Sequence, residues 1–259
     1  MIAKTEDAGS HAGLDLDSSL HFELASPDLA HARSLQQRVD RKYLLRVSDL
    51  EPLLRQLQSS HLAFRAGRTL WARYESVYFD TPDRDLYHAH RRGLRPRYKV
   101  RIRHHVDRQL TFLEVKRKDQ NGRTVKLRHP LSFLHDGLGT AERQFIEDHS
   151  PIDASRLIPI VSSSFRRLTL VGRLIHERVT FDRDLLFRAG GHTEHVSRVV
   201  VAEVKRSRDD HRDGAAAELR TLRAQTQVIS KYCLGTILLA PVRANVFKPA
   251  MRALERLSA

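Results

Sequence analysis

The chain has 259 residues, with 45 Lys and Arg against 31 Asp and Glu and a formal net charge of +14. At 41% hydrophobic and 29% charged it carries enough apolar material for a core, which excludes collagen, coiled coil and global disorder. No stretch approaches the roughly 20 apolar residues of a spanning helix, the N-terminus lacks the apolar segment of a signal peptide, and the single cysteine, Cys233, excludes an internal disulfide and a cysteine-based zinc cluster, so a soluble protein of a reducing, cytoplasmic compartment is expected.

Residues 1–20 mix Gly, Ser and Asp without periodicity and are expected to form a flexible leader, with one domain spanning 21–259. Val39–Leu45 reads as a short strand. In SDLEPLLRQL, Ser48 and Glu51 match a capping box while Leu50, Leu53, Leu54 and Leu57 recur at helical spacing. Arg73–Phe79 reads as a strand, and TPDRDLYHAHR as a turn running into a short helix. Three antiparallel strands follow, RYKVRIRHH, LTFLEVKRK and TVKLRH, joined by a tight link at Val106–Gln109 and by the Asn-Gly turn of DQNG. A helix is predicted near Ala141–Asp148, then strands at Ser164–Val171, Leu174–Asp182, Leu185–Arg188 and Val199–Arg206. Helices at Ala215–Ala224 and Pro249–Leu257 flank a predicted strand at Thr236–Leu239. The class is α+β around an antiparallel sheet.

The basic excess asks for an anionic partner, and its placement narrows the choice. There are 9 Lys against 36 Arg, and Lys42, Lys99, Lys116, Lys118, Lys126, Lys205 and Lys231 all fall in or beside strand-like segments. Because successive strand residues point to opposite faces, Arg97, Lys99, Arg101 and Arg103 share one face and Tyr98, Val100 and Ile102 the other. The same parity sets Phe112, Glu114, Lys116 and Lys118 against Leu113 and Val115, and Lys126 and Arg128 against Val125 and Leu127. It also groups Arg38, Asp40 and Lys42, and Glu203 with Lys205. A solvated sheet face would mix signs, because like charges side by side repel. A barrel whose charged parity lines a lumen explains the stacked cations, and such a lumen demands a polyanion. Tyr98 and Leu113 lie opposite the charges, which disfavours base stacking and therefore specific nucleic-acid readout, and favours phosphate chains. Isolated Glu114 and Glu203 suit a hard divalent cation bridging phosphate oxygens.

RVDRKYLL at 38–45, YESVYFDTPDRDLYHAH at 74–90, KVRIR at 99–103, FLEVKRK at 112–118, GRTVKLR at 122–128, ERVTFDRDLLF at 177–187, VAEVKRS at 201–207 and ISKYCLG at 229–235 together resemble the catalytic domain of the vacuolar transporter chaperone (VTC) complex, a branch of the triphosphate tunnel metalloenzymes. The resemblance implies an eight-stranded, closed antiparallel β-barrel with helices packed outside. It also implies synthesis of inorganic polyphosphate from ATP, with manganese or magnesium as the divalent metal. Carried over by position, it implies phosphate contacts from Lys42, Arg101, Arg103, Lys116, Lys126, Arg178 and Lys231, with Lys99, Arg128, Arg167, Lys205 and Ser230 as further substrate contacts. Glu203 is implied as a metal ligand, and Glu114 as a second tunnel carboxylate for which an internal salt bridge to Lys116 or Arg101 is the competing reading. Where CYTH-type triphosphatases open with two glutamates and a lysine at alternate positions, this chain has Arg38, Asp40 and Lys42, a departure that matches the VTC branch. The sequence contains neither an inositol-phosphate-sensing helical domain nor a membrane segment, so coupling to transport is not expected. Two alternatives stay open: a triphosphatase or short-chain polyphosphatase using the same tunnel, and a module that binds polyphosphate or RNA without chemistry.

Other residues read as ordinary structure. His104 and His105 point to opposite strand faces and read as surface histidines, and His88 and His90 do not face each other on a helix. Trp71 and the aromatics of 74–80 read as core, Ser230 equally as a structural hydroxyl, and Cys233 as a small buried residue.

Overall fold

The structure, a computed structural model, describes residues 21–33, 38–207, 210, 212 and 214–259; the predicted leader at 1–20 lies outside them. In chain order the elements are α1 (Pro27–Ala32), β1 (Arg38–Arg46), α2 (Leu50–Leu57), β2 (His61–Phe64), β3 (Ala72–Asp80), α3 (Asp85–Arg92), β4 (Arg97–His105), β5 (Leu110–Lys118) and β6 (Thr124–Leu131). There follow α4 (Thr140–His149), β7 (Ile158–Gly172), β8 (Glu177–Ala189), β9 (His192–Val196), β10 (Val199–Ser207), α5 (Ala215–Thr221), α6 (Lys231–Leu239) and α7 (Lys248–Ser258).

All ten strands join one antiparallel sheet in the order β1-β10-β8-β7-β3-β4-β5-β6, with β2 added to β7 and β9 to β8. The expected eight-stranded closed barrel is therefore corrected on both counts. Eight strands form the main path, two more are appended, and no ladder joins β1 to β6. The reason lies at the two edges. The free edge of β1 is taken by the segment leading to α6: Thr226 bridges Tyr43, the Gln227 N–H donates to the Lys42 carbonyl, and Lys42 Nζ donates to the Ile229 carbonyl at 3.0 Å. The β6 edge carries Pro130, which has no N–H to offer a ladder.

The sheet is nonetheless strongly curled. Lys42 on β1 and Lys116 on β5 are six ladder steps apart, about 29 Å in a flat sheet at about 4.8 Å per strand. Yet Lys42 is the charge that most depresses the pKa of Lys116, which requires the two ends of the sheet to face one another across a concavity.

The apolar parity packs outward as the sequence suggests. Val100, Ile102, Leu113 and Val115 meet Ile146 of α4 and Leu86 of α3, while Val200, Ala202 and Val204 meet the α2 leucines and Leu219 of α5. The α2 helix forms from its leucine spacing without the capping box. Val47–Asp49 is a 3-10 turn, Asp49 occupies the N-cap with no side-chain bond, and Glu51 pairs with Arg55 at 2.5 Å instead. Strands β2 and β9, one turn of pattern each, were not legible, and the two strands expected between 174 and 188 form the single β8, kinked where Asp184 takes a positive φ of 54°.

The predicted strand Thr236–Leu239 is helix α6, and it does not pack outside. Its Ser230 N-cap accepts from the Cys233 N–H at 3.2 Å. Tyr232 stacks on Tyr78 at 5.3 Å, and Gly235 approaches β7 and β8 so closely that a Cβ would lie 2.7 Å from Phe187 and 2.9 Å from Val161. An apolar run holding β-branched Thr236 and Ile237 reads as strand by propensity; glycine at 235 and the cap at 230 let it enter the concavity as a helix.

Candidate functional site

Because the inward parity is cationic on almost every strand, curling the sheet concentrates charge. The concave face and the start of α6 gather Lys42 (β1), Lys205 (β10), Arg178 (β8), Arg167 (β7), Lys99, Arg101 and Arg103 (β4), Lys116 (β5), Lys126 and Arg128 (β6), and Lys231 (α6). Among the described residues, four acids on the same parity stand against these eleven basic side chains: Glu114, Asp182, Glu203 and, at the outer end of β1 opposite Lys205, Asp40. All the basic positions expected from the sequence converge here. Ser230 stands at the margin, its hydroxyl used as the α6 cap, and Arg178 sits beside Lys205 with its guanidinium 6.0 Å from the Phe64 ring.

Two of the acids are tightly matched. Glu114, 1% exposed, accepts from Arg101 at 2.5 and 2.7 Å and from Arg128 at 2.8 Å, with Lys126 at 3.6 Å. Burial alone would raise its pKa, but Arg101, Arg103, Lys126 and Arg128 outweigh it and hold the carboxyl far below its usual range. The geometry is that of the internal salt bridge, with Arg101 and not Lys116 as its main partner. Asp182, 2% exposed, takes Arg167 in a two-pronged contact at 2.5 and 2.7 Å and also receives Lys231 Nζ. Its pKa falls to about 2: burial pushes it up, while Arg167 and Lys231 more than offset that. Asp182 is a site residue the sequence reading missed, although DRD within ERVTFDRDLLF puts it on the same parity as Arg178.

Other cations have no such partner. Lys99 and Lys116 make no hydrogen bond or ion pair among the described residues. Burial, then Lys42 and Lys99, push Lys116 down to about 7, and burial with the field of Lys42 and Arg101 pushes Lys99 down to about 8. Among the described residues Arg103, buried, donates only to Ser76 Oγ at 3.1 Å. Beside Glu203, the buried Thr180 hydroxyl has no partner among the described residues. Buried charge without compensation is unstable in the empty state and favours an anion.

Aromatic rings share this face, contrary to the expectation drawn from Tyr98 and Leu113. Tyr74 stacks on Phe165 at 5.5 Å, with Arg103 and Arg167 lying 5.3–5.7 Å over the two rings and Lys231 Nζ 4.1 Å from Phe165. The rings are covered by cations, so they orient guanidinium groups and offer no stacking platform. Alternation in YESVYF carried the signal. The Tyr78 hydroxyl takes a bond from Arg101 at 3.4 Å, and although burial raises its pKa, Arg101, Arg103 and Lys231 bring it down to about 8.

Glu203 differs from Glu114 and Asp182. It is 15% exposed and meets lysines alone, Lys205 at 3.1 Å and Lys42 at 3.8 Å, with no two-pronged guanidinium. Burial would raise its pKa, but Lys205, Lys42 and Arg167 hold it well below the ordinary value. Among the described residues no three His, Cys, Asp or Glu side chains converge. A divalent cation that draws most of its oxygens from phosphate and water needs one or two carboxylates, and Glu203, held by two lysines and by no two-pronged arginine, fits that need better than Glu114 or Asp182.

The histidine reading needs correction. His104 is buried and bonded to Thr111 Oγ1 at 2.9 Å, and His105, half-buried, packs edge-on against Tyr74 and Phe112. Trp71 and Cys233 are buried as expected. Among the described residues no helix is long and apolar enough to cross a membrane.

Comparison with solved structures finds a candidate adenylate cyclase from Bacillus halodurans at 17% identity and a TM-score of 0.49, covering 75% of this chain and 94% of that one. A similar protein from Vibrio parahaemolyticus matches at 15% identity and 0.46, covering 77% and 98%. A Hippeastrum protein described as having a dominant triphosphatase activity matches at 14% and 0.44, covering 80% and 98%. No curated protein matches the sequence. The family model of the VTC domain matches residues 37–240, which is most of the chain and includes every strand described above, and the protein therefore belongs to the VTC domain family.

Proposed function

We propose that this protein is a metal-dependent polyphosphate polymerase of the cytoplasm, transferring the γ-phosphoryl group of ATP to the end of a growing inorganic polyphosphate chain. The observation that carries the reading is a buried, curled face on which basic groups far outnumber acids while one carboxylate, Glu203, meets lysines rather than a two-pronged guanidinium and is the most exposed of the three inner acids. Membership of the VTC domain family supports it.

In this reading a terminal phosphate oxygen of the chain attacks the γ-phosphorus of ATP, the β–γ bridging bond breaks, and ADP leaves with the bridging oxygen. The nucleophile is a phosphate oxygen, so no activated side chain is required. Arg101 and Arg103 are held in place by Glu114, Ser76 and the aromatic rings, and orient equatorial oxygens through fixed N–H groups. Lys99 and Lys116, unpaired and half-buried, neutralise phosphates without first breaking a protein ion pair. Glu203 would hold a manganese or magnesium ion, which when bound would supply charge neutralisation to the phosphates. Lys42, Lys126, Arg128, Arg167, Arg178, Lys205 and Lys231 supply the surrounding positive field.

Incubation with ATP and Mn²⁺ or Mg²⁺ is expected to yield ADP and polyphosphate resolved as a ladder on a gel. Release of free phosphate with no polymer would instead make water the acceptor and the protein a triphosphatase.

A further inference from the structure

The cationic stripe does not stop at the site. Strand β4 continues its inward parity from Lys99 to Arg97, strand β5 from Lys116 to Lys118, and Arg97 and Lys118 are register partners. Beyond Arg97 the chain runs into the loop that carries Arg95, clasped to the β5–β6 turn by Arg95 Nη1 donating to the Gln120 carbonyl at 3.2 Å. These three cations have no acid within ion-pair distance among the described residues. Arg97 uses Nη1 on the main-chain carbonyls of Gly93 and Leu94, at 3.5 and 3.1 Å, and its Nε is buried without a hydrogen-bond partner. They repel one another: burial, then Arg97, Arg95 and Lys42, lower the pKa of Lys118, with Asp40 across the open seam as the opposing acid. Deeper in the concavity Arg101 and Arg128 share Glu114, and Arg167 has Asp182; here, where the face meets solvent, no carboxylate is within ion-pair distance of the three cations among the described residues.

We propose that Arg95, Arg97 and Lys118 form a second polyanion-binding site, separate from the reacting positions, that holds the phosphates of a linear inorganic polyphosphate chain beyond its first three. The proposal rests on the reading of the concave face as a phosphate site and adds the class of ligand that extends out of it. A phosphate chain fits because the stripe is continuous and in register with Lys99 and Lys116, so one extended anion neutralises both sets. Forks and point charges recognise phosphate without further chemistry. A single-stranded nucleic acid would call for rings on which bases stack, and none of the three side chains offers one.

The test compares two probes on the full chain by calorimetry: inorganic tripolyphosphate and long-chain linear polyphosphate. The triple variant Arg95→Gln, Arg97→Gln, Lys118→Gln is expected to lose at least about tenfold in affinity for the long chain, about 1.4 kcal/mol, while tripolyphosphate binding stays within about twofold. The single variants Arg95→Gln and Lys118→Gln leave the Arg97 loop contacts in place and are expected to show partial losses of the same kind. Unchanged long-chain affinity, or equal loss for both probes, overturns the second site. Displacement of long-chain polyphosphate by a single-stranded RNA of matched charge at equal concentration overturns the choice of ligand. A parent protein that binds neither probe overturns the underlying phosphate reading itself, an outcome distinct from failure of the second site alone.

Discussion

Two parts of the concave face solve the problem of buried charge in opposite ways. Around Glu114 and Asp182 each carboxylate is gripped by guanidinium groups at 2.5–2.8 Å, and aromatic rings lie beneath the arginines. Around Lys99 and Lys116 the charges face each other without counterions and their pKa values fall to about 8 and about 7. The first part balances its own charge within the protein; the second is left with mutual repulsion that an anion relieves. A site that binds and releases polyanions needs both, one region that keeps its shape and one whose charge is available.

The contrast breaks most sharply at Asp182. Asp182→Ala leaves Arg167 and Lys231 buried without their carboxylate and is expected to destabilise the fold by about 3–5 kcal/mol, as removal of one partner of a buried pair does. Urea denaturation measures it, and a change below about 1 kcal/mol would mean that the matched region is not a stability element. Lys99→Ala combined with Lys116→Ala should act the other way. Phosphoryl transfer from ATP is expected to fall about a hundredfold, about 2.7 kcal/mol in transition-state stabilisation, while the melting temperature holds or rises because a repulsion has been removed. Loss of activity together with a lower melting temperature would place the two lysines in the structural region.

The same comparison predicts a pH dependence whose sign follows from the shifts. Between about 7 and the ordinary lysine value of 10.5, the unfolded chain holds a proton on Lys116 that the folded chain has released. The unfolded state binds more protons there, so the stability contributed by this group rises with pH across that window and is lost as pH falls toward 7. A bound polyanion prefers the protonated lysine, so polyphosphate affinity moves in the opposite direction. It should strengthen by about tenfold as pH falls from 9 to 7, read by calorimetry at constant ionic strength. An affinity flat across that range would show that Lys99 and Lys116 are not the ligand's contacts.

Much of this division was legible in the sequence, because parity is. Alternation in RYKVRIR, FLEVKRK and TVKLR fixed which side chains share a face, and strands β4, β5 and β6 fall where those patterns put them. Closure was not legible. Whether β1 meets β6 depends on the segment 226–229 that covers the β1 edge, a contact between stretches far apart in sequence. Helix α6 was misread because Thr236–Leu239 is apolar on all sides, as both a buried strand and a helix seated in a concavity are. The pairing of Asp182 with Arg167 and Lys231 joins β8, β7 and α6, and a one-dimensional pattern carries no trace of it. The charges were visible; which of them are matched was decided by the fold.

The smallest expected effect tests how α6 is held between the two regions. The Tyr232 hydroxyl donates to Asp80, a fully buried carboxylate that also accepts the N–H groups of Thr81, Leu86 and Tyr87 at 2.8–2.9 Å. The ring of Tyr232 stacks on Tyr78, and its neighbour Lys231 reaches Asp182. Tyr232→Phe keeps the stack and removes one donor from a charged acceptor that retains three others, so a loss of about 1–2 kcal/mol is expected at neutral pH. Burial raises the Asp80 pKa while Tyr232 lowers it, so the variant's carboxyl should protonate at a higher pH than the parent's. Once protonated it no longer needs the missing donor, and the deficit should shrink as pH falls through that value. Activity should drop by no more than about threefold, since the ion pair with Asp182 still holds Lys231 in place. Urea midpoints of parent and variant at pH 7 and at about pH 4.5 check the sign; a deficit that grows on acidification would show that the hydroxyl supports something other than the Asp80 carboxylate.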